Sequence, residues 1–331
     1  MENEKQWHVC EINRKKLKGL MKRSDAKGLV RLSGWLACLC GSGLMAYSAI
    51  GTNWMIPAFM LYGVLWAFSE PLSHECSHGT PFKSRWLNEA VFFITDLMNF
   101  KERIYHRWMH ARHHTHTIYK EQDPEIQLPT PVKIPIMLFE LLGVRGAYHF
   151  IVAMVKHARG KFSSQTLAWV PEPEHPKLIA GARYYLAIYA AIIVWAIVIQ
   201  SLLPIVFFLL PKFYGAWLKT LFVFTQHVGL AEEVADHRLN SRTVYLNPVA
   251  SFFYWNMNYH IEHHMYPLVP FHALPALHKE IKEQLPRTYK GFVEVYREMF
   301  TTLVRQRKDP TYFAQRQLPQ ENKVPDVERA A

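Results

Sequence analysis

The chain has 331 residues, of which half are apolar and a fifth are charged, a mixture that suits a membrane protein with a substantial polar part. It contains only four cysteines, which argues against a disulfide framework and fits a reducing compartment. Residues 1–31 carry too many charges to hold the apolar core of a cleavable signal peptide.

The N-terminal segment, residues 1–31, is strongly basic and contains the run Arg14-Lys15-Lys16-Leu17-Lys18. In the whole chain Lys plus Arg outnumber Asp plus Glu by 38 to 27. A basic segment of this kind can bind nucleic acid, but this one leads directly into an apolar stretch. Retention on the cytoplasmic side by the positive-inside rule is the better interpretation. We therefore predict a basic cytoplasmic segment and no nucleic-acid partner.

Two apolar stretches follow, over residues 32–50 and 54–73. The first carries no charge, and about 19 residues of helix cover roughly 28 Å, close to the thickness of a bilayer core. Gly51-Thr52-Asn53 leaves room only for a short turn between the two stretches. We predict two antiparallel transmembrane helices that return the chain to the side of the basic N-terminus, just before His74.

A second pair of transmembrane helices is predicted over residues 184–203 and 205–225. Residues 184–210 carry no charge, whereas Lys212 and Lys219 leave the bounds of the last helix open. The turn within each helix pair lacks Lys and Arg. By the positive-inside rule, this pattern predicts that both termini are cytoplasmic.

The stretches between and after these helix pairs are more polar. Residues 88–105 and 134–156 are apolar on one face but are interrupted by charged residues, which is typical of helices that lie at the membrane interface. Residues 160–177 predict a cytoplasmic connector. Residues 286–331 predict an amphipathic cytoplasmic tail, so we expect the catalytic region over residues 32–285.

Histidine is concentrated in three short boxes. Box one is His74-Glu75-Cys76-Ser77-His78, box two is His110-Ala111-Arg112-His113-His114, and box three is His260-Ile261-Glu262-His263-His264. In boxes two and three the histidines stand at i, i+3 and i+4, so on a helix their rings lie on one face. In box one the two histidines are one helical turn apart.

These boxes predict a site for two metal ions. Neutral imidazole binds zinc, copper, iron and nickel, and eight histidines exceed the four positions of a structural zinc site. Box one alone also matches the H-E-x-x-H pattern of zinc peptidases, with Glu75 as the general base, but two further boxes make a single-zinc peptidase the poorer explanation. The predicted fold is therefore an all-α integral membrane protein with four transmembrane helices, interfacial helices and a cytoplasmic, histidine-rich cap that holds two metals.

A metal transporter or sensor is the alternative that is not an enzyme. Such a protein is expected to carry ionisable ligands inside its membrane spans. Here the boxes lie at or beyond the ends of the predicted spans, which favours an enzyme.

The order and spacing of the three boxes resemble the membrane fatty acid desaturase and hydroxylase superfamily, over roughly residues 30–285. The flanking residues are similar as well: Gly79-Thr80-Pro81-Phe82 after box one, the stretch from Thr117 to Asp123-Pro124-Glu125 after box two, and the stretch from Asn256 to Pro267 around box three. Box one is shorter than in acyl-CoA desaturases of the animal type. The shorter form occurs in bacterial acyl-lipid desaturases and in hydroxylases, so it does not distinguish the two reactions.

The resemblance implies a non-haem di-iron centre on the cytoplasmic face that activates O2. Gln226-His227-Val228-Gly229-Leu230 is similar to a motif of the membrane alkane hydroxylases, which makes His227 the expected ninth ligand, with His237 as the weaker candidate. The expected metal ligands are His74, His78, His110, His113, His114, His227, His260, His263 and His264. The residues expected to support them without binding metal are His106, His116, Asp123, Glu233, Asp236, His237 and Glu262, with Glu75 and Glu232 also available. No catalytic residue is predicted beyond the metal centre.

The function that follows is an O2-dependent oxidation of unactivated C–H bonds, which requires a redox metal because amino-acid side chains cannot carry it. A fatty acid (acyl lipid) desaturase is the first expectation. A hydroxylase or oxidative demethylase of an alkyl compound or a small polar metabolite is the alternative, since small differences in substrate placement decide the outcome. The sequence has no motif for an internal electron carrier, so we expect a ferredoxin, rubredoxin or cytochrome b5-type donor with its reductase. The expected location is the bacterial inner membrane, in contact with membrane lipids, with the active site in the cytoplasm.

Overall fold

The computed structural model describes residues 6–126 and 128–319, and these residues form helices and connecting loops with no β-strand. Residues 1–5 of the predicted basic segment and residues 320–331 of the predicted tail lie outside this description. The all-α prediction is confirmed. The helices are α1 (Arg14–Leu20), α2 (Asp25–Ser48), α3 (Met55–Ala67), α4 (Ser69–Ser77), α5 (Arg85–Met98), α6 (Arg103–Thr115), α7 (Ile134–Glu140), α8 (Val144–Ala158), α9 (Ser164–Trp169), α10 (His175–Val198), α11 (Leu203–Phe208), α12 (Pro211–His227), α13 (His237–Asn240), α14 (Pro248–Phe253), α15 (His260–Met265), α16 (Leu274–Ile281) and α17 (Phe292–Gln306).

Four helical stretches of the described chain are long and apolar enough to cross a membrane: Asp25–Ser48, Met55–Ser77, Glu172–Val198 and Leu203–His227. Large apolar side chains on them face outward, and Leu44, Ile56 and Val198 each expose 70% or more of their surface. Such side chains are stable there only if lipid covers them. The prediction of four transmembrane helices is confirmed in number and order.

The helix ends differ from the predicted bounds where caps decide them. The first membrane helix, α2, begins at Asp25 because the Ser24 hydroxyl accepts a hydrogen bond from the Lys27 amide. The third, α10, begins at His175, within the stretch we expected to be a connector, because Pro176 in the first turn is compatible with a helix start. The fourth is divided before Pro211 into α11 and α12.

Two glycines bring the second and fourth membrane helices into close contact. A Cβ atom added to Gly215 of α12 would lie 1.9 Å from the carbonyl of Gly63 in α3. Only helices without side chains at the crossing can approach so closely. The contact matters for function because α3 leads into α4, which carries His74, and α12 ends at His227.

The two stretches expected to form interfacial helices are each broken in two. The predicted helix over residues 88–105 is divided between α5 and α6. Residues 134–156 form α7 and α8, which meet at 68° because Gly143 adopts a left-handed conformation with φ 64°. This bent pair is also apolar enough to count as one broken span, so its interfacial placement stays a prediction.

The remaining helices form a cap over the ends of the second and fourth spans. Leu274, Leu277 and Ile281 of α16 are fully buried in one core with Met257, which precedes the third histidine box, and Ile261, which lies inside it. The C-terminal segment also crosses this cap, where the Ala314 amide donates to the Gly229 carbonyl at 2.8 Å. These contacts hold α15 against the spans.

Candidate metal centre

Five imidazoles converge near the C-terminal end of the second membrane-spanning stretch. Each offers one ring nitrogen, and these nitrogens all lie within 4.8 Å of one another. The rings come from α4 and its C-cap, from α6 and from α15. This first group consists of His74, His78, His110, His114 and His263.

A second group of four imidazoles lies beside the first. Its nitrogens meet the same 4.8 Å limit, and it contains the histidine at the end of α12. The groups are adjacent, since the rings of His114 and His264, one from each group, stack with centroids 4.3 Å apart. The second group consists of His113, His227, His260 and His264.

The i, i+3, i+4 spacing explains how two helices supply both groups. Residues four apart on a helix face the same way more closely than residues three apart. On α6, His110 and His114 therefore share the first group and His113 joins the second. On α15 the roles are exchanged: His260 and His264 share the second group, and His263 joins the first.

The donor geometry of both groups fits metal ions. Nε2 of His74 lies 2.7 Å from Nε2 of His263, and the corresponding distance from His260 to His227 is 2.9 Å. A metal with nitrogen ligands at about 2.1 Å sets neighbouring ligand nitrogens roughly 3 Å apart. Lone pairs that point at one another at this separation are the arrangement a cation satisfies.

The electrostatics of the rings also fit. Burial, the largest cause, and the neighbouring imidazoles lower the pKa well below the usual histidine range for His78, His114, His260, His263 and His264. For His113, burial is opposed by the adjacent Asp123 carboxylate, which raises the pKa to about 9. Neutral imidazole is the form that binds metal. Most of these rings can therefore bind a metal ion without first losing a proton.

Residues outside the three boxes orient four of the rings by contacts to their Nδ1 atoms. Nδ1 of His113 lies 2.9 Å from the Asp123 carboxylate, and Nδ1 of His110 lies 3.1 Å from Glu125. The other two contacts are between Nδ1 of His264 and the Thr117 hydroxyl, at 3.2 Å, and between Nδ1 of His227 and the Asn240 carbonyl, at 2.8 Å. Such contacts fix ring orientation in metal sites.

Of the residues expected to support the rings, Asp123 hydrogen-bonds the ring of His113 in the second group. His106 is buried and its Nδ1 faces Asp96 at 2.9 Å. His116 is buried at the end of α6. His237 belongs to neither group: it stacks on Trp7 with centroids 4.2 Å apart and packs on the ring of His264.

Two of the acidic residues expected near the rings have other partners, and a third is exposed. Glu262 pairs with His278 and accepts from Thr243. Asp236 caps α13 and pairs with Arg238, and Glu233 is exposed. Among the alternatives, Glu75 lies 3.9 Å from Nδ1 of His263, while Glu232 pairs with Lys120. The side chains of Glu262 and Asp236 are directed by loop and cap contacts that box spacing does not encode.

A cavity of about 620 Å³ opens onto both groups. His74 of the first group and His113 and His227 of the second line it. Its other walls come from α8, α9 and α12 and from the loop after α6, and they mix apolar side chains with charged ones. A cavity that touches potential ligands of both groups is where a substrate would lie.

Comparisons with known proteins agree with this site. The family model described as fatty acid desaturase matches residues 27–296, which include all three boxes and His227. A delta-6 fatty acid desaturase of Caenorhabditis elegans is 26% identical over 295 residues, which cover 80% of this chain and 66% of that protein. The chain thus aligns with just under two thirds of that relative's length. Since the family match covers most of the chain, the protein belongs to the fatty acid desaturase family.

Proposed function

We propose that the protein is an O2-dependent membrane oxidoreductase that holds two iron ions in its two histidine groups. The observation that carries this proposal is the pair of adjacent, buried sets of converging imidazole nitrogens beside a cavity. Five nitrogens in one set exceed the four ligands of tetrahedral zinc. Imidazole also suits iron, and iron supplies the redox chemistry that breaking an unactivated C–H bond requires. The nine proposed ligands are those of the two groups.

The residues of the chain would position the substrate. Because the cavity reaches His74, His113 and His227, a molecule in it would present its C–H bonds beside both groups. Asp123 and Glu125 hold the rings of His113 and His110 in place. Placement at this level decides between loss of a second hydrogen, which gives an alkene, and hydroxylation.

Desaturation of a fatty acyl chain is the first candidate reaction, and the family and the Caenorhabditis elegans relative support it. Each turnover would remove two hydrogen atoms from neighbouring carbons, and O2 with two further electrons and two protons would be reduced to two waters. Hydroxylation or oxidative demethylation of a smaller polar molecule is the second candidate. It is favoured by the charged side chains that line the cavity, among them Lys101, Lys212 and Lys219.

The electrons would come from a separate ferredoxin, rubredoxin or cytochrome b5-type protein with its reductase. The proposed arrangement is a basic cytoplasmic segment over residues 1–31, a catalytic region over residues 32–285, which the family match supports, and a cytoplasmic tail over residues 286–331. Both termini and the histidine groups would face the cytoplasm of a bacterial inner membrane.

Product analysis tests the proposal. The iron-loaded protein in lipid nanodiscs, supplied with O2, NADH and a ferredoxin–reductase pair, is incubated with acyl lipids and with small polar candidates, and products are identified by mass spectrometry. We expect an oxidised product with the full system and negligible product when ferredoxin is left out. His110→Ala should give no product. Turnover with NADH alone, or equal turnover by His110→Ala, would contradict the proposal.

A further inference from the structure

Three of the residues that line the cavity are lysines with little exposure or a place close to the histidines. Lys212 and Lys219 lie on the membrane-spanning helix α12, and each exposes only 5% of its surface. Lys101 lies just before α6. All three line the same cavity as His74 and His227. We call Lys101, Lys212 and Lys219, together with Glu70 and Asn99, the lysine pocket.

One lysine of the lysine pocket has no acidic partner. Glu70 serves two of the ammonium groups, since its carboxylate lies 3.0 Å from Lys101 and also pairs with Lys219. The other carboxylates near Lys101, those of Asp96 and Glu125, hydrogen-bond histidine rings instead. Buried charges are normally paired, so the third ammonium group lacks the anion that would pair with it.

The lysine without an acidic partner is Lys212. Its ammonium donates to the side-chain oxygen of Asn99 at 3.0 Å, and no carboxylate of the described residues pairs with it. The Asn99 amide is fixed in this orientation because its nitrogen donates to Ser69 and to the Thr95 carbonyl, each at 2.8 Å. An ammonium has three donors, and one goes to a neutral oxygen. Lys212 therefore faces the cavity with donors to spare, and an anion bound there would stabilise its charged form.

The lysine pocket is close to the histidines. Ser69, which holds Asn99, precedes His74 on α4 by about 8 Å of helix rise. Glu70 lies about one turn before His74 on the same helix. A molecule of moderate length can thus contact Lys212 with one end and lie beside the two histidine groups with the other.

We propose that the lysine pocket binds the carboxylate of the substrate, so that the protein oxidises an amphipathic organic acid whose anionic end lies at Lys212. This inference rests on the proposed function for the reacting end of the molecule, while the pocket itself requires only the observed charges. A carboxylate supplies the missing negative charge and two acceptor oxygens. An esterified acyl chain supplies a neutral carbonyl oxygen but no negative charge, and it would leave the ammonium of Lys212 without an anionic partner.

Binding of octanoate and of its neutral analogue octanamide tests this directly. Affinities are measured by isothermal titration in nanodiscs, for the metal-free and the iron-loaded protein, so that no turnover is needed. We expect octanoate to bind at least about 30-fold more tightly than octanamide. Lys212→Met should remove this preference. Lys18→Met, on the exposed face of α1, should keep the preference, and it serves as the control for ligand that only partitions into the lipid.

The outcomes are distinct. Equal affinity for octanoate and octanamide in the natural protein overturns the inference without any variant, and so does a preference that survives in Lys212→Met. If Lys212→Met does not fold, Asn99→Asp places a carboxylate beside Lys212 and should abolish the preference. Oxidation of uncharged acyl lipids without octanoate binding would refute the carboxylate pocket and leave the proposed function intact. Octanoate binding in a protein that oxidises nothing would refute the proposed function alone.

Discussion

Removal of the imidazole of His227 is expected to empty one of the two metal positions. His227 supplies one of the four nitrogens of the second group and lies 2.9 Å from His260. Four-ligand metal sites bind with about 10–16 kcal/mol, or roughly 2.5–4 kcal/mol per ligand, so His227→Ala should weaken this site by about 10²–10³-fold. We expect iron content to fall from about two ions per chain to about one, with loss of turnover.

His237→Ala is the matched control, because His237 is buried beside the same group but offers it no nitrogen. Its ring stacks on Trp7, so its loss should cost about 1 kcal/mol of stability and leave the iron content unchanged. The assay is iron content by mass spectrometry of the purified proteins, with product formation and unfolding temperature measured in parallel. If His227→Ala keeps both ions and His237→Ala loses one, the ninth ligand is His237 and our assignment is wrong.

Three further predictions concern the ring supports, the helix crossing and the topology. Glu125→Gln should weaken metal binding by about 10–100-fold, measured by competition with a chelator, because the amide holds Nδ1 of His110 less strongly; an unchanged affinity would show that Glu125 does not support the site. Gly215→Ala should destabilise the protein by about 1–3 kcal/mol, seen as a lower unfolding temperature, whereas Gly41→Ala, where a Cβ meets nothing within 4 Å, should not; equal effects would refute the close contact. A cysteine at Thr52, in a background without Cys38 and Cys40, should react with an impermeant reagent from outside the cell and one at Lys18 should not; the reverse pattern would invert the proposed topology.

The sequence pattern predicted the all-α fold, the four spans and the nine histidines that the structure brings together. These follow from local rules: apolar length for the spans, and helical spacing for His110, His113 and His114. The sequence also left His237 as the weaker alternative to His227 for the ninth metal ligand. The structure places His227 in the second group because it ends α12, and it places His237 one ring away against Trp7.

The features that the sequence did not reveal depend on contacts between distant segments. Thr117 and Glu125 were noted only as part of the stretch after box two, and Asn240 carried no signal, yet each contacts a ring of the two groups. Glu262 lies inside box three but turns toward His278, since only one face of α15 can meet the other histidines. Lys212 only left the bounds of the last span open in the sequence, and the role proposed for it depends on the contact with Asn99.

The contact between Gly63 and Gly215 has a mechanical consequence for the distance between the two histidine groups. From this crossing, roughly 17 Å of helix leads along α3 and α4 to His74, and a similar length leads along α12 to His227. The two helices are thus arms of nearly equal length about a common pivot, and each arm ends in a different group. A change of about 5° in the crossing angle would shift the arm ends by roughly 1.5 Å relative to each other. A bilayer thinner than the spans favours stronger helix tilt, and a tilt that changes this crossing angle would alter the separation of the two groups without any contact to them.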